Sequence, residues 1–451
     1  MRMLCLLIGV FASVAVARDK VTILIKMIPA QEKFFRTTIL KTFEEKYDCR
    51  VKVATFADDW DLVEKLSKND DVDVVKVPMG MARPLVKRDL VKALESLVSH
   101  DELREIRRTY FLLNLARVDG TLYYLPRKFE TRIMAYRESR VEEAVAAWPS
   151  MKDDIDKALK ETRGAGLPRG YALEEAPSEW DYLDIFVIGY VWANTSYDDA
   201  AHGRIAHRGK EYSGTAVGLF DRCYQMGASK ADIFDPSSKP FTEVLKWESL
   251  YAARGIYNSR MWDEGWSGSD IWGAFDRGDV FLSYMTQIDC YHLVGAEREA
   301  PDAKPEVRRD LAFAVMPKAV SVDGAREGSR AISTGGWLWG IGAECDRNNP
   351  ALKLIRHITS YDNQLAEGER FGIIPVRRDI LGKAGVMFSE PWKTRVFATS
   401  MEQLKHNGKT SLPYTEDYNA IERAYIDAWK KVVRAGASRG YLGEKVAEMV
   451  D

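Results

Sequence analysis

The first eighty positions alternate between short apolar segments and longer segments in which an apolar residue recurs at about every fourth position. Residues 21–25 and 72–77 are short and rich in β-branched side chains, and Val51, Val53 and Thr55 alternate with other residues, which predicts three strands. Between the first two of them, apolar side chains recur at Phe35, Ile39, Phe43 and Tyr47. This spacing predicts a helix with one apolar face that ends near Asp48. The order predicts a βαβαβ unit with a parallel sheet.

Two further apolar segments lie far along the chain from this unit. Residues 311–317 and 336–341 are predicted strands, and residues 141–260 before them are rich in helical patterns and aromatic side chains. The middle segment therefore predicts a separate lobe. Strands that complete the first sheet from such a distance imply a chain that passes between two lobes more than once.

The loops that follow the first three strands are candidate ligand sites, because ligands of open α/β sheets bind at the carboxyl ends of the strands. These loops are residues 26–30, 57–61 and 78–82. The second loop contains Asp58, Asp59, Trp60 and Asp61, of which Asp59 is the more plausible helix cap. The aspartates could also supply the acid and base of a glycoside hydrolase, which is kept as a remote alternative.

Motifs of the common enzyme classes are absent from the sequence. It contains no H-E-x-x-H, G-x-S-x-G or Walker A pattern, so we expect neither catalysis nor a cofactor nor a resident metal. The cysteines outside the first apolar run are Cys49, Cys223, Cys290 and Cys345. Because no two of them form a C-x-x-C pair, they predict neither a zinc site nor a redox motif. Buried thiols and disulfides both remain open.

The amino terminus predicts export. Arg2 precedes an apolar run that ends in the A-x-A pattern of residues 15–17, which is typical of a secretory signal peptide. The run is shorter than the roughly 20 residues that span a bilayer. Since Cys5 lies within the run and not at its end, we expect a freely diffusing periplasmic protein and not a lipoprotein. The signal peptide would occupy residues 1–17, with cleavage near Ala17.

Length and charge narrow the class of partner. The chain has 451 residues, 46% of them hydrophobic, which is enough for two or more domains. Loss of Arg2 with the signal peptide changes the formal net charge from -2 to -3. Proteins that bind nucleic acid usually carry a clear basic excess. We therefore expect no nucleic-acid partner, and we expect a monomer.

Six short motifs occur in an order that is typical of one family. They are residues 43–47 (FEEKY), 120–126 (GTLYYLP), 275–282 (FDRGDVFL), 315–317 (VMP), 334–337 (TGGW) and 371–376 (FGIIPV). With these motifs the chain resembles the extracellular solute-binding proteins of bacterial ABC importers, in the carbohydrate-type family that includes maltose-binding protein. The resemblance implies a periplasmic protein that captures a sugar or oligosaccharide by hinge closure and delivers it to permease subunits in the inner membrane.

The same resemblance implies an α/β fold of two lobes. Each lobe would contain a mostly parallel sheet flanked by helices, and three hinge crossings would join the lobes. The N-terminal lobe would comprise residues 18–128 and 314–340, and the C-terminal lobe residues 129–313 and 341–451. The expected crossings are residues 128–132, 313–315 and 341–342.

Sugar sites stack aromatic faces on sugar rings and surround the hydroxyl groups with polar side chains. The candidate ligand-binding residues are Asp58, Trp60, Arg127, Glu130, Trp180, Trp266, Tyr284, Gln287 and Trp337. Trp337 is the strongest aromatic candidate, because the two glycines before it let the backbone approach closely. Trp60 lies in a strand-to-helix loop, where packing alone rarely needs a tryptophan. Trp180 falls at an apparent helix start, where the family often has an aromatic residue in the cleft.

Each candidate also has a purely structural interpretation. Core packing is the commoner role of a tryptophan, and a hinge salt bridge accounts almost equally well for Arg127 and Glu130. Tyr284 and Gln287 lie in a stretch where the family usually has glycine and tryptophan. A non-sugar solute such as a polyol, a peptide or a metal complex stays open, as does a sensory role in place of import.

Overall fold

Two mixed sheets organise the residues that the computed structural model describes, which are 19–68, 71–197, 203–294, 305–381, 388, 390–408, 410, 412, 415 and 417–450. The strands are β1 Asp19–Ile25, β2 Cys49–Thr55, β3 Val74–Pro78, β4 Arg117–Val118, β5 Thr121–Leu122, β6 Leu125–Glu130, β7 Arg132–Arg137, β8 Ile205–Ala206, β9 Leu282–Thr286, β10 Leu311–Ala314 and β11 Gly335–Ile341. The expected signal peptide lies outside the described residues.

The first sheet has the strand order β2-β1-β3-β11-β6 in this part of the chain. β1 pairs parallel with β2 and β3, whereas β11 pairs antiparallel with both β3 and β6. Four of the five strands therefore run in one direction, and only β11 is reversed. The three strands predicted near the amino terminus are confirmed as β1, β2 and β3.

The second sheet repeats this arrangement with the order β10-β7-β9-β8. β7 pairs antiparallel with β10 and β9, and β8 pairs parallel with β9, so only β7 is reversed. In each sheet the reversed strand is the one that the chain enters directly from the other lobe. The prediction of two mostly parallel sheets is confirmed.

Helices pack against both sheets. They are α1 Pro29–Phe34, α2 Lys41–Tyr47, α3 Asp59–Ser67, α4 Ala82–Lys87, α5 His100–Thr109, α6 Glu138–Arg163, α7 Tyr182–Ala193, α8 Ser213–Gln225, α9 Lys230–Ile233, α10 Lys239–Ala253, α11 Arg260–Asp263, α12 Gly268–Arg277, α13 Gln287–Val294, α14 Pro305–Arg309, α15 Asn348–Ile358, α16 Tyr361–Phe371, α17 Arg378–Leu381, α18 Pro391–Asn407, α19 Tyr418–Arg439 and α20 Lys445–Val450. A π-helical turn, Phe35–Leu40, joins α1 to α2. This continuous segment ends at Asp48, whose φ of 48° is left-handed, so the predicted end of the first helix is confirmed.

Two hydrophobic cores divide the chain differently from the predicted boundaries. Residues 314–340 were assigned to the N-terminal lobe, yet Ala319 and Val322 belong to the core of the second sheet. Residues 341–451 were assigned to the C-terminal lobe, yet Ile355 and Val376 belong to the core of the first. Apolar periodicity identifies the strands and helices, but it does not show which of two similar cores buries them.

The chain crosses between the lobes wherever consecutive segments belong to different hydrophobic cores. The first is Thr131, between the end of β6 and the start of β7, inside the predicted range 128–132. After β10 the chain stays on the second lobe, where Lys318 N donates to Trp180 O at 2.8 Å, and it reaches the first lobe only at Gly335. Val376 belongs to the core of the first sheet and Val396 to the core of the second, so a third passage follows Val376. The second and third crossings therefore come later than the residues 313–315 and 341–342 predicted for them.

Two smaller expectations are settled by the described residues. Cys49, Cys223, Cys290 and Cys345 are buried free thiols, so no disulfide joins them. Within the described ranges, none of the helices combines the length and the apolar character needed to cross a membrane.

Candidate functional site

A cleft lies where the two sheets face each other across the crossings. β6 ends at Glu130, which pairs with Gly335 at the start of β11, and β9 ends at Thr286, which pairs with Arg132 at the start of β7. The carboxyl ends of strands from both lobes therefore meet at one junction. This is the edge at which ligands of α/β sheets bind.

Trp60 is the most exposed large hydrophobic side chain of the described residues, with 72% of its surface accessible. It lies in the first turn of α3, where the Asp58 carboxylate accepts hydrogen bonds from Trp60 N at 3.0 Å and from Asp61 N at 2.9 Å. The helix cap is therefore Asp58, and the prediction that Asp59 fills this role is wrong. Capping fixes the backbone of the turn while the indole stays in solvent.

Trp337 is half-buried at the start of β11, and a buried lysine contacts its ring. Lys76 Nζ lies 4.0 Å from the ring centre and donates to Lys26 O at 2.5 Å. Burial holds the pKa of Lys76 well below its usual value. Gly336, with a φ of 149°, precedes the indole, and a Cβ there would lie 2.1 Å from Lys128 O. The predicted close backbone approach before Trp337 is confirmed at Gly336.

Glu130 carries a negative charge at the same junction. It forms an ion pair with Lys128, and 23% of its side chain is exposed. Burial on its own would raise the pKa of Glu130, but the charges of Lys128, Lys76 and Arg132 hold it below the usual value. The carboxylate is therefore ionised and can accept hydrogen bonds from a solute.

The second lobe contributes three arginines, and each has a carboxylate partner. The pairs are Arg132 with Asp221, Arg208 with Asp289 and Arg222 with Glu248. The Arg222 guanidinium lies 5.2 Å from the centre of the Tyr284 ring, and burial raises the pKa of Tyr284 to about 12. A small cavity of about 30 Å³ opens among these groups beside Thr286. This wall is polar, and its charges are balanced.

Larger cavities lie toward Trp60. One of about 440 Å³ has Trp60 and Asp59 on the side of the first lobe and Tyr418 and Asn419 of α19 on the side of the second. Another of about 590 Å³ continues along α19 past Asn419 to Glu422. Because Asn419 lines both, the two cavities adjoin.

Glu422 is a buried carboxyl group beside the second of these cavities. It accepts a hydrogen bond from Ser213 Oγ at 2.9 Å, and only 6% of the residue is exposed. Burial raises the pKa of Glu422, and the Asp59 carboxylate of the other lobe adds to the rise. Asp59 and Trp60 in the first turn of α3 line one cavity with Tyr418 and Asn419 of α19, so these two helices lie on opposite sides of one cleft.

Two of the predicted site residues hold the hinge region together. Arg127 is fully buried and forms an ion pair with Glu367 inside the first lobe. Gln287 is 1% exposed, and its amide accepts from Thr131 N at 3.1 Å and donates to Phe129 O at 3.2 Å. Both side chains are thus committed to partners within the protein.

Two predicted aromatic residues lie in the second core. Trp180 is fully buried, and its indole donates to Glu174 O at 2.7 Å. Trp266 is 3% exposed, and its indole donates to Glu264 Oε2 at 2.9 Å. Of the predicted set, Glu130, Tyr284 and Trp337 instead lie on the strands that begin or end at the junction of the two sheets. Trp60 lines the separate cavity between α3 and α19, and Asp58 caps the turn that carries it.

Sequence reasoning missed several residues of the cleft. For Lys76 a signal was present, because a lysine inside the apolar segment 74–77 is rarely buried without a special role. For Arg208, Tyr418 and Asn419 no comparable signal exists. Tyr418 and Asn419 reach the cleft only because α19 packs across α8 and α10, and that contact is not encoded in local periodicity.

Comparison with known proteins gives one family and one fold. Residues 38–394 match the family model described as "Bacterial extracellular solute-binding protein". A comparison with curated protein sequences gives no significant match.

Solved structures with the same fold cover almost the whole chain. Maltose-bound MalE3 of T. maritima has a TM-score of 0.67 at 16% identity and covers 96% of this chain and 98% of its own. An ABC transporter solute-binding protein of Thermotoga lettingae TMO, bound with alpha-D-tagatose, has a TM-score of 0.67 at 16% identity. The match covers 96% of this chain and 100% of that protein. The sugar-binding protein MalE of Xanthomonas citri has a TM-score of 0.66 at 16% identity. The match covers 96% of this chain and 97% of that protein.

Proposed function

Since the chain belongs to the bacterial extracellular solute-binding protein family, we propose that it binds a sugar or oligosaccharide between its lobes and delivers it to an ABC permease. The observation that carries the proposal is the position of Trp60. Its indole is 72% exposed beside a cavity that both lobes line. Exposed aromatic faces at the mouth of a cleft suit the apolar faces of sugar rings.

Charge balance supports a neutral, hydroxyl-rich solute. Each of the three arginines of the second lobe is paired with a carboxylate, so these three guanidinium groups leave no positive charge without a partner. A strongly anionic solute would instead need cations without carboxylate partners. The maltose and tagatose complexes of the structural neighbours agree with this choice of solute.

Capture would proceed by closure of the lobes around the crossings. Ligand contacts with both lobes favour the closed form, because only interactions that differ between two states shift their equilibrium. The residues on opposite sides of the cleft, such as Trp60 and Asn419, are placed for this role. The proposal has four further parts. The chain is exported by a signal peptide that is cleaved near Ala17, and it works in the periplasm. It is a monomer, and its closed form docks on permease subunits.

The protein is not an enzyme in this proposal. Asp58 is occupied as a helix cap by two backbone N–H groups, so it is not free to act as a catalytic acid or base. Solute binding without turnover is the expected behaviour.

A panel of mono- and oligosaccharides tests the proposal. Purified protein should show a raised melting temperature with one class of sugar, because a ligand that binds only the folded state stabilises it. It should release no product from chromogenic glycosides. If no sugar shifts the melting temperature or gives a calorimetric signal, the assignment to sugars fails, and product release would contradict the absence of catalysis.

A further inference from the structure

Asn407 lies at the end of α18 between two of the crossings and is 1% exposed. Its Nδ2 donates to Thr131 Oγ1 at 3.1 Å and to Thr334 Oγ1 at 3.3 Å. Thr131 is the first crossing, and Thr334 is the last residue before β11. One carboxamide therefore contacts two crossings that are about two hundred positions apart in sequence.

The orientation of this carboxamide is fixed by its other partners. Asn407 Oδ1 accepts from Ile332 N at 3.2 Å and from Gln403 Nε2 at 2.9 Å. A backbone N–H can only donate, so the atom facing Ile332 must be the oxygen, and the NH₂ group must face the threonines. Both hydrogens and both acceptor positions of the amide are used.

The two threonine contacts depend on how the crossings lie relative to each other. Thr131 is fully buried and Thr334 is 3% exposed, so water cannot readily replace a contact that is lost. Hinge closure is absorbed by backbone rotations at a few element-terminal residues of this kind. A rotation that moves Thr131 relative to Thr334 must lengthen at least one of the two hydrogen bonds.

We propose that Asn407 is a positioning residue that holds the first two crossings in the open arrangement and so sets the fraction of ligand-free protein that is closed. The open arrangement is here the one in which Trp60 is left uncovered by the second lobe: its residue is 72% exposed at the cavity between α3 and α19. Asn407 acts through Thr131 and Thr334, and it is not a ligand-binding residue. The inference rests on the proposed function only in taking lobe closure as the motion that captures solute.

Distance measurements between the lobes test the inference without any sugar. Labels on Asp101→Cys in α5 and Lys157→Cys in α6 report the separation, because these side chains are 82% and 75% exposed while the native thiols are buried. Asn407→Ala should raise the closed fraction of ligand-free protein about three- to tenfold, the value of roughly one buried hydrogen bond. An unchanged distance distribution would overturn the proposal.

Asn363→Ala is the matched control. Asn363 Nδ2 donates to His357 O at 2.8 Å inside the first lobe, away from the crossings. Its loss should affect the stability of that lobe but leave the inter-lobe distance unchanged. A control that shifts the distance as much as Asn407→Ala would show that any loss of stability produces the effect, and the inference would fail.

A double-mutant cycle covers the case in which Asn407→Ala does not fold. Thr131→Val and Thr334→Val each remove one acceptor at nearly constant volume. In the wild-type background their effects on the closed fraction should be non-additive, since one amide joins them. Additive effects would overturn the proposal. If the distances respond as expected and no sugar binds, the proposed function fails while the hinge inference stands.

Discussion

Lys76 Nζ lies 4.0 Å from the centre of the Trp337 ring, on a strand whose other members are aliphatic or proline. Lys76 is 2% exposed, so the contact is desolvated and it fixes the indole at the junction of the lobes. A buried lysine is costly in an aliphatic strand, and its position under a cleft aromatic accounts for its presence.

Replacement of Lys76 by methionine tests this relationship. The variant keeps the apolar stem and removes the amine, so the free energy of unfolding should stay near the wild-type value or rise. Solute affinity, measured by titration calorimetry, should fall roughly tenfold because Trp337 loses its support. Trp337→Ala should weaken binding further. Unchanged affinity in both variants would remove Trp337 from the binding site.

Truncation of Trp60 separates binding from folding. Because 72% of the side chain is exposed, Trp60→Ala should leave the melting temperature nearly unchanged. Loss of a stacked aromatic anchor should cost about 2 kcal/mol, which is roughly thirtyfold in affinity. Tyr47→Ala is the control, since Tyr47 is also exposed on the first lobe, at 37%, and lies at the end of α2 just before β2 begins, outside the candidate ligand loops. Equal losses in both variants would argue against a specific role for Trp60.

The strands of the first lobe could be predicted because local pattern and tertiary role agree. Residues 21–25 and 72–77 are buried on both faces, and a mostly apolar segment is their signature. Residues 51–55 belong to the edge strand β2, where the partly buried Val51 and Val53 alternate with the exposed Lys52 and Thr55. The lobe boundaries could not be predicted in the same way. Residues such as Val322 and Ile355 are equally apolar, and only the three-dimensional path shows which core each one joins.

The candidate site residues show the same difference between local sequence pattern and tertiary packing. Trp60 lies in a capped turn at the start of α3 and Trp337 follows two glycines at the start of β11, so for these two residues the position in the fold could be predicted from the sequence. Trp180 and Trp266 have similar sequence surroundings, yet each satisfies its indole N–H within the second lobe. A sequence does not reveal whether an aromatic side chain finds an internal partner, and this limits the prediction of sugar sites.

Arg127 gives a prediction about stability. Its guanidinium and the Glu367 carboxylate form an ion pair with side-chain exposures of 0% and 2%. Arg127→Met leaves the carboxylate buried without its partner, so the free energy of unfolding should fall by about 3–5 kcal/mol in urea denaturation. The double replacement Arg127→Met with Glu367→Leu should recover much of the loss. A variant of full stability with weakened binding would return Arg127 to the ligand site.

Asp184 predicts a pH dependence of stability. Burial raises the pKa of Asp184 to about 6 from an ordinary value of 3.8, and the nearby Asp181 carboxylate adds to the rise. Between these values the folded state binds more protons than the unfolded state. The protonated Asp184 carboxyl therefore stabilises the folded protein below pH 4, and this stabilisation is lost as the pH rises through 6. The free energy of unfolding should fall by up to about 3 kcal/mol over this range.

The replacement Asp184→Asn should remove this contribution. Unfolding free energies of wild type and variant, measured by urea denaturation from pH 4 to pH 7, should change relative to each other, with the wild type losing more stability as the pH rises. Tyr171 donates to Asp184 Oδ1 at 2.6 Å, and an asparagine oxygen can keep that contact. Parallel pH profiles would show that Asp184 does not titrate in this range.

The adjoining cavities of the cleft lead to a prediction about solute length. Their volumes are about 440 and 590 Å³, and each lies in the range of about 300–1,000 Å³ that holds a drug-sized ligand. A single sugar ring leaves most of this space to water, whereas a chain of rings can run from Trp60 past Asn419 to Glu422. Affinity should therefore rise at least about tenfold from the monosaccharide to the trisaccharide of the best-binding sugar.

Arg423→Ala makes this prediction specific, because Arg423 lines the second cavity and not the one that contains Trp60. Loss of its guanidinium should weaken trisaccharide binding and leave monosaccharide binding at Trp60 nearly unchanged, so the preference measured by calorimetry should shrink. Equal affinity for the two sugars in the wild type would mean that one cavity alone binds solute. A larger loss for the monosaccharide would instead place the ring beside Arg423, away from the stacking position at Trp60.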